Sequence, residues 1–420
     1  MSKPFVPPFI IKNDSACVYK WGWNTFRLHN ATSSSCHRVT PVPVALDNFE
    51  NFHNTPEVIQ DRKLMLAGQW PVGRGCEYCQ EMEVAGGMSD RTYHNAISGL
   101  TPVDFDPLGD QHVTPTVAEI YLTNTCDLAC IYCIPEFSSR INNELKKHGP
   151  NIVGHRPSIP IHNSSAYLDR YFDWLETNYS KLVRLSVLGG EPLIQRDLDR
   201  FLDFLNTHKN PELEFAINTN LNCRLETIQQ FVETAQQLIA SKKIKRVDIS
   251  CSLDCWGDPA TYIRNGLSLD RWQENFEYLI QNKWLYVTVH QVLTSLSIGT
   301  ADILQDKISQ YKQSTKWNIT QAYHAVDDHD GIWRPEIFGS EFFKPQLDQL
   351  LAKFLIKSKG DEIARLRLEG IVKLTENKQP NLVKLSKFSA ALDQLDRRRG
   401  TDWRLIFPEI NEFLFMNGIK

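Results

Sequence analysis

No stretch of the 420 residues approaches the ~18 consecutive apolar residues that a membrane-crossing helix needs, so no membrane partner is expected. Charge of one sign is not in excess either. The 46 Lys+Arg stand against 50 Asp+Glu, which removes the general electrostatic case for nucleic-acid binding while leaving room for a local patch. Repeats and low-complexity tracts are missing, which sets aside solenoids and linker-like chains. The opening residues, MSKPFVPPFIIKND, are broken by Pro4, Pro7 and Pro8 and offer no apolar core for a secretory signal. A chain with 42% apolar, 23% charged and 10% aromatic residues is globular rather than disordered. Its length allows two or three domains at a loose ~150 residues each.

What the chain does have is ten cysteines, unevenly spread. Seven fall by position 133: Cys17, Cys36, Cys76, Cys79, Cys126, Cys130 and Cys133. Cys223, Cys251 and Cys255 come later. Secreted disulfide scaffolds are small and cysteine-dense, and this chain is neither. A cytoplasmic protein whose clustered thiols bind metal is the expectation.

Three textures divide the sequence. Residues 1–112 are loop-rich and hold the first four cysteines. Residues 113–335 alternate short β-type runs with amphipathic stripes: TVAEIYL (116–122), LVRLSVL (182–188), LEFAINT (213–219), KRVDISCSL (245–253), WLYVTVHQVL (284–293) and WNITQAY (317–323). Between them, Leu168, Tyr171, Phe172 and Leu175 recur at helical spacing. So do Leu198, Phe201, Leu202 and Leu205, and then Ile228, Phe231, Val232 and Ala235. Alternation of this kind predicts an α/β fold with a parallel sheet, as a partial barrel or an open sheet. Residues 336–420 read as a helical segment.

The first of these runs leads into TNTCDLACIYCIPE, with Cys126, Cys130 and Cys133 spaced C-x3-C-x2-C. Three thiolates cannot close a structural zinc site, which takes four ligands. They can hold three corners of a [4Fe–4S] cluster and leave one iron open. This motif, with Tyr132 before the last cysteine and a strand ahead of it, resembles the radical S-adenosylmethionine (SAM) superfamily. The resemblance implies a partial (β/α)6 TIM-like barrel in which SAM chelates the open iron. Electron transfer then releases a 5′-deoxyadenosyl radical that abstracts hydrogen from substrate. It also implies an electron donor such as flavodoxin or ferredoxin.

Further motifs agree. LGGEP places Gly189, Gly190, Glu191 and Pro192 at a strand end, where glycines let a ligand approach the backbone. This resembles the family's GGEP, which meets the methionyl amine. INTNLN, with Asn218 and Asn220, resembles a ribose-contacting segment, although Leu221 stands where the family has glycine. In VDISCSLD, alternation puts Asp248, Ser250, Ser252 and Asp254 on one face and Cys251 on the other. The resemblance sets Ser250, Ser252 and Asp254 near SAM and substrate, Arg264 of YIRNG at the SAM carboxylate, and Tyr132 beside the adenine. Cys251 reads as buried filler, and Cys223 and Cys255 lie past strand ends.

Cys76-Glu-Tyr-Cys79, with Cys17 and Cys36 upstream, reads equally well as a four-cysteine zinc or [4Fe–4S] site. The surrounding segment resembles the auxiliary-cluster ("twitch") domain of certain radical SAM proteins. It has an Arg-x-x-Met-Leu-x-Gly run, the CxxC, then Glu-x-x-x-Gly-x-Ser-x-Arg. That resemblance makes Cys17, Cys36, Cys76 and Cys79 the ligands of an auxiliary [4Fe–4S] cluster. The Leu-Asp-x-x-Arg-Gly near the C-terminus belongs to the same pattern.

The long polar stretch after Cys133 reads as a lid carrying Arg140, His155 and Arg156. Arg397, Arg398 and Arg399 read as a solvated helix end or a phosphate contact. The resemblance implies oxidative modification of a peptide or protein side chain, or of a small polar metabolite. A radical enzyme acting on a sugar, nucleotide or nucleic acid is the alternative. A zinc-binding interaction protein is the alternative of another class.

Overall fold

Cα pairing in a computed structural model joins most of the chain's strands into one large, mostly parallel sheet. The structure describes residues 15–97, 113–315, 319–326, 328 and 330–419. The Pro-rich start, the domain boundary expected near 112 and the first residues of the 317–323 run lie outside the described residues. The strands are β1 (Trp23–Arg27), β2 (Thr32–Ser34), β3 (Val42–Pro43), β4 (Val117–Tyr121), β5 (Ala129–Cys130), β6 (Arg184–Leu188), β7 (Glu214–Thr219), β8 (Arg246–Ser252), β9 (Arg264–Asn265), β10 (Tyr286–Leu293) and β11 (Ile319–Ala325). The sheet order is β11-β10-β8-β7-β6-β4-β1-β2-β3, with β5 and β9 forming a separate pair. All six β-type runs read in the middle region are strands, and they lie side by side in chain order.

Two compact units divide the chain, and β7 and β8 run through the division. The first gathers the described residues up to Thr123 with Ile159–Ile217 and Glu233–Asp248. Here β4 pairs parallel with β6, and β6 with β7. Phe215, Ala216 and Ile217 are buried in succession, as expected of a strand covered on both faces. The region read as loop-rich contributes β1, which pairs parallel with β4, and the antiparallel β2 and β3. Aromatic packing explains its attachment: Phe26 on β1 meets Phe49 edge-on at 5.1 Å and lies 6.0 Å from Tyr171 of the helix Ser164–Asn178. Phe52 meets Trp174 of that helix edge-on at 5.1 Å. Such pairs add to the apolar area they bury.

The second unit gathers Asn124–Ser158, Asn218–Val232 and the described residues from Ile249 on. β10 and β11 pair parallel, and each buries every other residue. Val289, Gln291 and Leu293 are buried on β10, as are Gln321 and Tyr323 on β11, with His290 and His324 on the other face. The helix Lys359–Thr375 packs against β11. Between them lies a polar chain: Gln321 donates to Gln305 at 2.7 Å, and Lys312 donates to Gln321 at 3.1 Å and ion-pairs with Asp361. Both charged side chains are almost fully buried. Burial lowers the Lys312 ammonium from its usual range, with Asp361 opposing that shift. Among the described residues no helix is long and apolar enough to cross a membrane.

Removing one member of a buried pair strands the other charge. Lys312→Met should therefore lower unfolding free energy by about 3–5 kcal/mol. The double variant Lys312→Met/Asp361→Leu should recover most of that loss in the same urea titration.

Candidate functional site

In the second unit, the loop bearing Cys126, Cys130 and Cys133 is stapled from several sides. Cys130 sits opposite Arg264 and Ala129 opposite Asn265 in the β5–β9 pair, and the Ile131 amide donates to Ile263 O at 2.9 Å. The Cys126 amide donates to Ser139 Oγ and that hydroxyl donates back to Cys126 O, both at 3.1 Å. Ser138 Oγ donates to Leu128 O at 2.6 Å while capping the helix Ser139–His148. The three cysteines remain partly exposed.

Asp127, which the motif reading passed over, anchors the loop. Asn220 donates to its Oδ1 at 2.8 Å and Asn222 to its Oδ2 at 2.6 Å. Asn222 also accepts the Ser268 amide at 2.8 Å, and its own amide donates to Asn220 at 2.8 Å. Asn220 is thus engaged with the cysteine loop, while Asn218 stands partly exposed near the end of β7. Between the two anchoring asparagines, Leu221 adopts φ +52°, fully buried, where a glycine would pass without strain. Asn275 holds it by donating to Leu221 O and Cys223 O, both at 2.9 Å. Gly266 at φ +102° lets Asp127 O come within 3.0 Å of where a Cβ would stand.

Asp254 has no exposed surface. Its Oδ1 accepts Arg264 Nη2 at 3.0 Å and the Val292 amide at 2.9 Å. Its Oδ2 accepts Arg264 Nε at 3.0 Å and Tyr132 Oη at 2.8 Å. Arg264 is buried, not a surface residue, and its guanidinium lies 5.8 Å from the Tyr132 ring centroid. Burial raises the Tyr132 phenol well above its ordinary range, with Arg264 working the other way. Ser250 is buried and Ser252 partly exposed on the same strand face. Cys223, Cys251 and Cys255 are all buried.

The expected lid is a helix and turns. Arg140 donates to Asp127 O at 2.9 Å, His155 is half-buried and Arg156 is exposed. Arg398 and Arg399 are not a solvated end. Arg398 donates to Gly149 O at 3.1 Å, and Arg399 donates to Glu144 at 2.9 Å, fastening the two helix ends. Arg397 is exposed.

The glycine motif belongs to the first unit. Gly189 at φ +91° passes so close to β4 that a Cβ would stand 2.6 Å from the Leu122 amide nitrogen. Gln195 donates to Gly189 O and accepts from Thr123 Oγ1, both at 2.6 Å. Glu191 is fully buried, and its carboxylate accepts the Leu193 amide at 3.2 Å, capping the turn that starts at Pro192. Gly190 follows Gly189 at φ +53°.

Cys17, Cys36, Cys76 and Cys79, all buried, line one small pocket in this unit, together with Lys20, Arg38 and Arg91. Burial raises the Cys17 thiol, and Cys36 and Cys79 beside it raise it further. Burial also pushes Cys36 up to about 12. The motif residues form the frame. Glu83 binds Ser89 Oγ at 2.5 Å and pairs with Arg91, whose Nη1 donates to Ala16 O at 2.8 Å beside Cys17. Arg62 donates to Lys20 O at 2.6 Å. Gly75 carries φ +88°, and a Cβ there would overlap Arg38 O.

Among the described residues no three His, Cys, Asp or Glu side chains are drawn together as a preformed metal site. The donor sets nonetheless suit iron and sulfide. One is three sulfurs on a loop whose carboxylate is already taken by asparagines. The other is four buried sulfurs beside Lys20, Arg38 and Arg91, each of which is paired with a carboxylate.

No protein-family model matches the chain. A GTP 3′,8-cyclase of Sulfurovum sp. (strain NBC37-1) is 23% identical over 133 residues, 31% of this chain and 32% of the relative. The match therefore spans about a third of that curated protein's length. Among solved structures, Streptococcus suis SuiB bound to precursor peptide SuiA is 12% identical and covers 92% of this chain and 71% of its own, at a TM-score of 0.35. Native anSMEcpe with bound AdoMet and Kp18Cys peptide is 12% identical, covering 68% and 61%, at 0.34. Likeness of that degree settles neither fold nor activity.

Leu221→Gly should relieve about 1 kcal/mol of left-handed strain but forfeit about 2–5 kcal/mol of buried side chain. A net loss of stability in chemical denaturation is expected, and a gain would show that strain dominates at this turn.

Proposed function

We propose that the protein is a radical SAM enzyme. The carrying observation is the C-x3-C-x2-C loop, with its three sulfurs partly exposed and its backbone fixed by Asp127, Asn220, Asn222 and the β5–β9 pair. Cys126, Cys130 and Cys133 would hold a [4Fe–4S] cluster that, with SAM bound, supplies one-electron reductive cleavage of the sulfonium. The chain's own part is to hold and orient. Tyr132, Asn218, Asn220, Ser250 and Ser252 would shape the SAM surroundings. Gly189, Gly190, Glu191 and Pro192 would present backbone and carboxylate to its ammonium group. Arg264 and Asp254, spent on each other, would act by fixing Cys130 and Tyr132. A (β/α)6 partial barrel is the closed form that the six successive strands favour.

Cys17, Cys36, Cys76 and Cys79 would hold an auxiliary [4Fe–4S] cluster, closed by four thiolates and hence suited to electron transfer or structure. The segments 1–112, 113–335 and 336–420 would be the twitch-like, radical and C-terminal helical parts. A peptide or protein side chain is the substrate that the twitch-like segment favours, with net oxidation as the outcome. A nucleotide is the second reading, favoured by the match to a GTP 3′,8-cyclase.

Anaerobic reconstitution should load about eight irons per chain. Zinc in their place would identify an interaction protein instead. Dithionite and SAM should then yield 5′-deoxyadenosine, and Cys126→Ala should abolish it. Product formation surviving in that variant removes the assignment. Replacing Cys76 and Cys79 together by Ala should leave about four irons, with 5′-deoxyadenosine still formed.

A further inference from the structure

Arg27, at the end of β1 in the first unit, is a buried cation that no motif accounts for, with 6% of its surface exposed. Phe26 packs against Tyr171 on one face of the strand, so alternation turns Thr25 and Arg27 to the other. There Arg27 Nη1 donates to Ser34 Oγ at 2.9 Å across the β1–β2 pair. Its guanidinium lies 5.6 Å from the Tyr121 ring centroid. The register sets Arg27 opposite Tyr121 and Tyr121 opposite Leu188, so the three form one row at the strand ends. Gly189, Gly190 and Glu191 follow Leu188 directly. Neighbouring strands lie about 4.8 Å apart, which sets Arg27 about 10 Å across the sheet from that turn.

The other charges of this face are spent on one another or on hydroxyls. Glu119, level with Thr25 on β4, accepts its hydroxyl at 2.8 Å. Arg184 pairs with Asp248, and Arg246 with Glu214. Among the described residues no carboxylate comes within ion-pair distance of Arg27, and Ser34 is the one acceptor its guanidinium meets. Burial lowers that guanidinium from its ordinary range, with Tyr121 and Glu119 opposing the shift. Arginines buried this far are ordinarily paired. The fork of remaining N–H groups matches a carboxylate or phosphate, and Ser34, which accepts from Arg27, has a hydroxyl proton to add. Tyr121 and Glu119 keep partial exposure beside it, so the row is not sealed.

We infer that Arg27, with Ser34, holds an oxyanion of the substrate, a carboxylate or a phosphate, on the same sheet face as the strand end that leads into Gly189. That the anion belongs to the substrate rests on the enzyme reading above; the anion site itself does not.

The test titrates the full chain, its arginines ¹⁵N-labelled, with inorganic phosphate and separately with succinate, and reads affinity by calorimetry. Arg27→Gln removes the charge and Arg27→Lys keeps it without the fork; either assigns the Arg27 Nε–H signal. Saturable binding that shifts this signal is expected, about tenfold weaker in whichever variant keeps the wild-type melting curve. Tighter binding of phosphate would indicate a phosphorylated substrate, and tighter binding of succinate a carboxylate. No saturable shift with either probe, or an affinity unchanged in the variants, overturns the inference. Formation of 5′-deoxyadenosine by the wild-type chain reads the enzyme assignment separately: its absence beside intact anion binding overturns that assignment and leaves the site standing.

Discussion

Asp254 sits where β8 ends, and four donors converge on its two oxygens: two from Arg264, one from Tyr132 and one from the Val292 backbone. Taking both charges of such a pair out of water is costly, and the interaction holds because every lone pair on the carboxylate is used. Its reach gives it consequence. Val292 ties the end of β8 to β10, Tyr132 ties it to the cysteine loop, and Arg264 carries the strand that pairs with Cys130. Losing the carboxylate would leave a buried guanidinium and a half-buried phenol without their acceptor, and would loosen three segments at once. A buried ion pair is weak evidence for stability, but here it fixes which backbone lies next to which cysteine.

A second anchor works by a different principle. The Asp127 carboxylate is held by two carboxamides, while Arg140 binds its backbone carbonyl beside Gly266. Amide donors satisfy the carboxylate oxygens, and the positive charge felt by Cys130 and Cys133 comes instead chiefly from Arg264. The loop is thereby rigid while its thiols stay partly open, the combination that a site binding an exchangeable partner at one metal corner requires. The first unit's cysteines show the opposite arrangement. They are buried, ringed by Lys20, Arg38 and Arg91, and framed by the Glu83–Arg91 clamp. Sealed sulfurs suit a fully ligated group, and open ones suit one with a vacancy.

Much of this was legible in the sequence because period-2 and period-3.6 patterns report burial directly. The six middle strands and the helical stripes follow from that. β1 to β3 were not legible, because their short runs carry no sustained alternation and are held by Phe49 and Phe52 packing from outside. Alternation puts Asp248, Ser250 and Ser252 on one face of β8, with Asp254 past its end, yet it cannot say what meets a side chain. Arg264, ten residues on, takes Asp254, and Arg184 takes Asp248. Two of the three arginines, Arg398 and Arg399, were misjudged for the same reason. Helix ends look solvated until a partner such as Glu144, some 250 residues distant in sequence, is known.

Leu221 carries that limit furthest. A motif departure at this place signals either a changed ligand contact or a changed backbone, and sequence cannot separate the two. The structure retains the left-handed backbone and adds a buried side chain, so the departure lies in packing. Strain of about 1 kcal/mol is tolerable where a leucine's burial contributes more and where Asn275 pins the carbonyls of Leu221 and Cys223. The asparagines on either side then keep their orientation toward Asp127, whichever residue lies between them. The geometry of the cysteine loop can thus survive the loss of a motif glycine, because it depends on the turn's conformation and not on the residue that most readily adopts it.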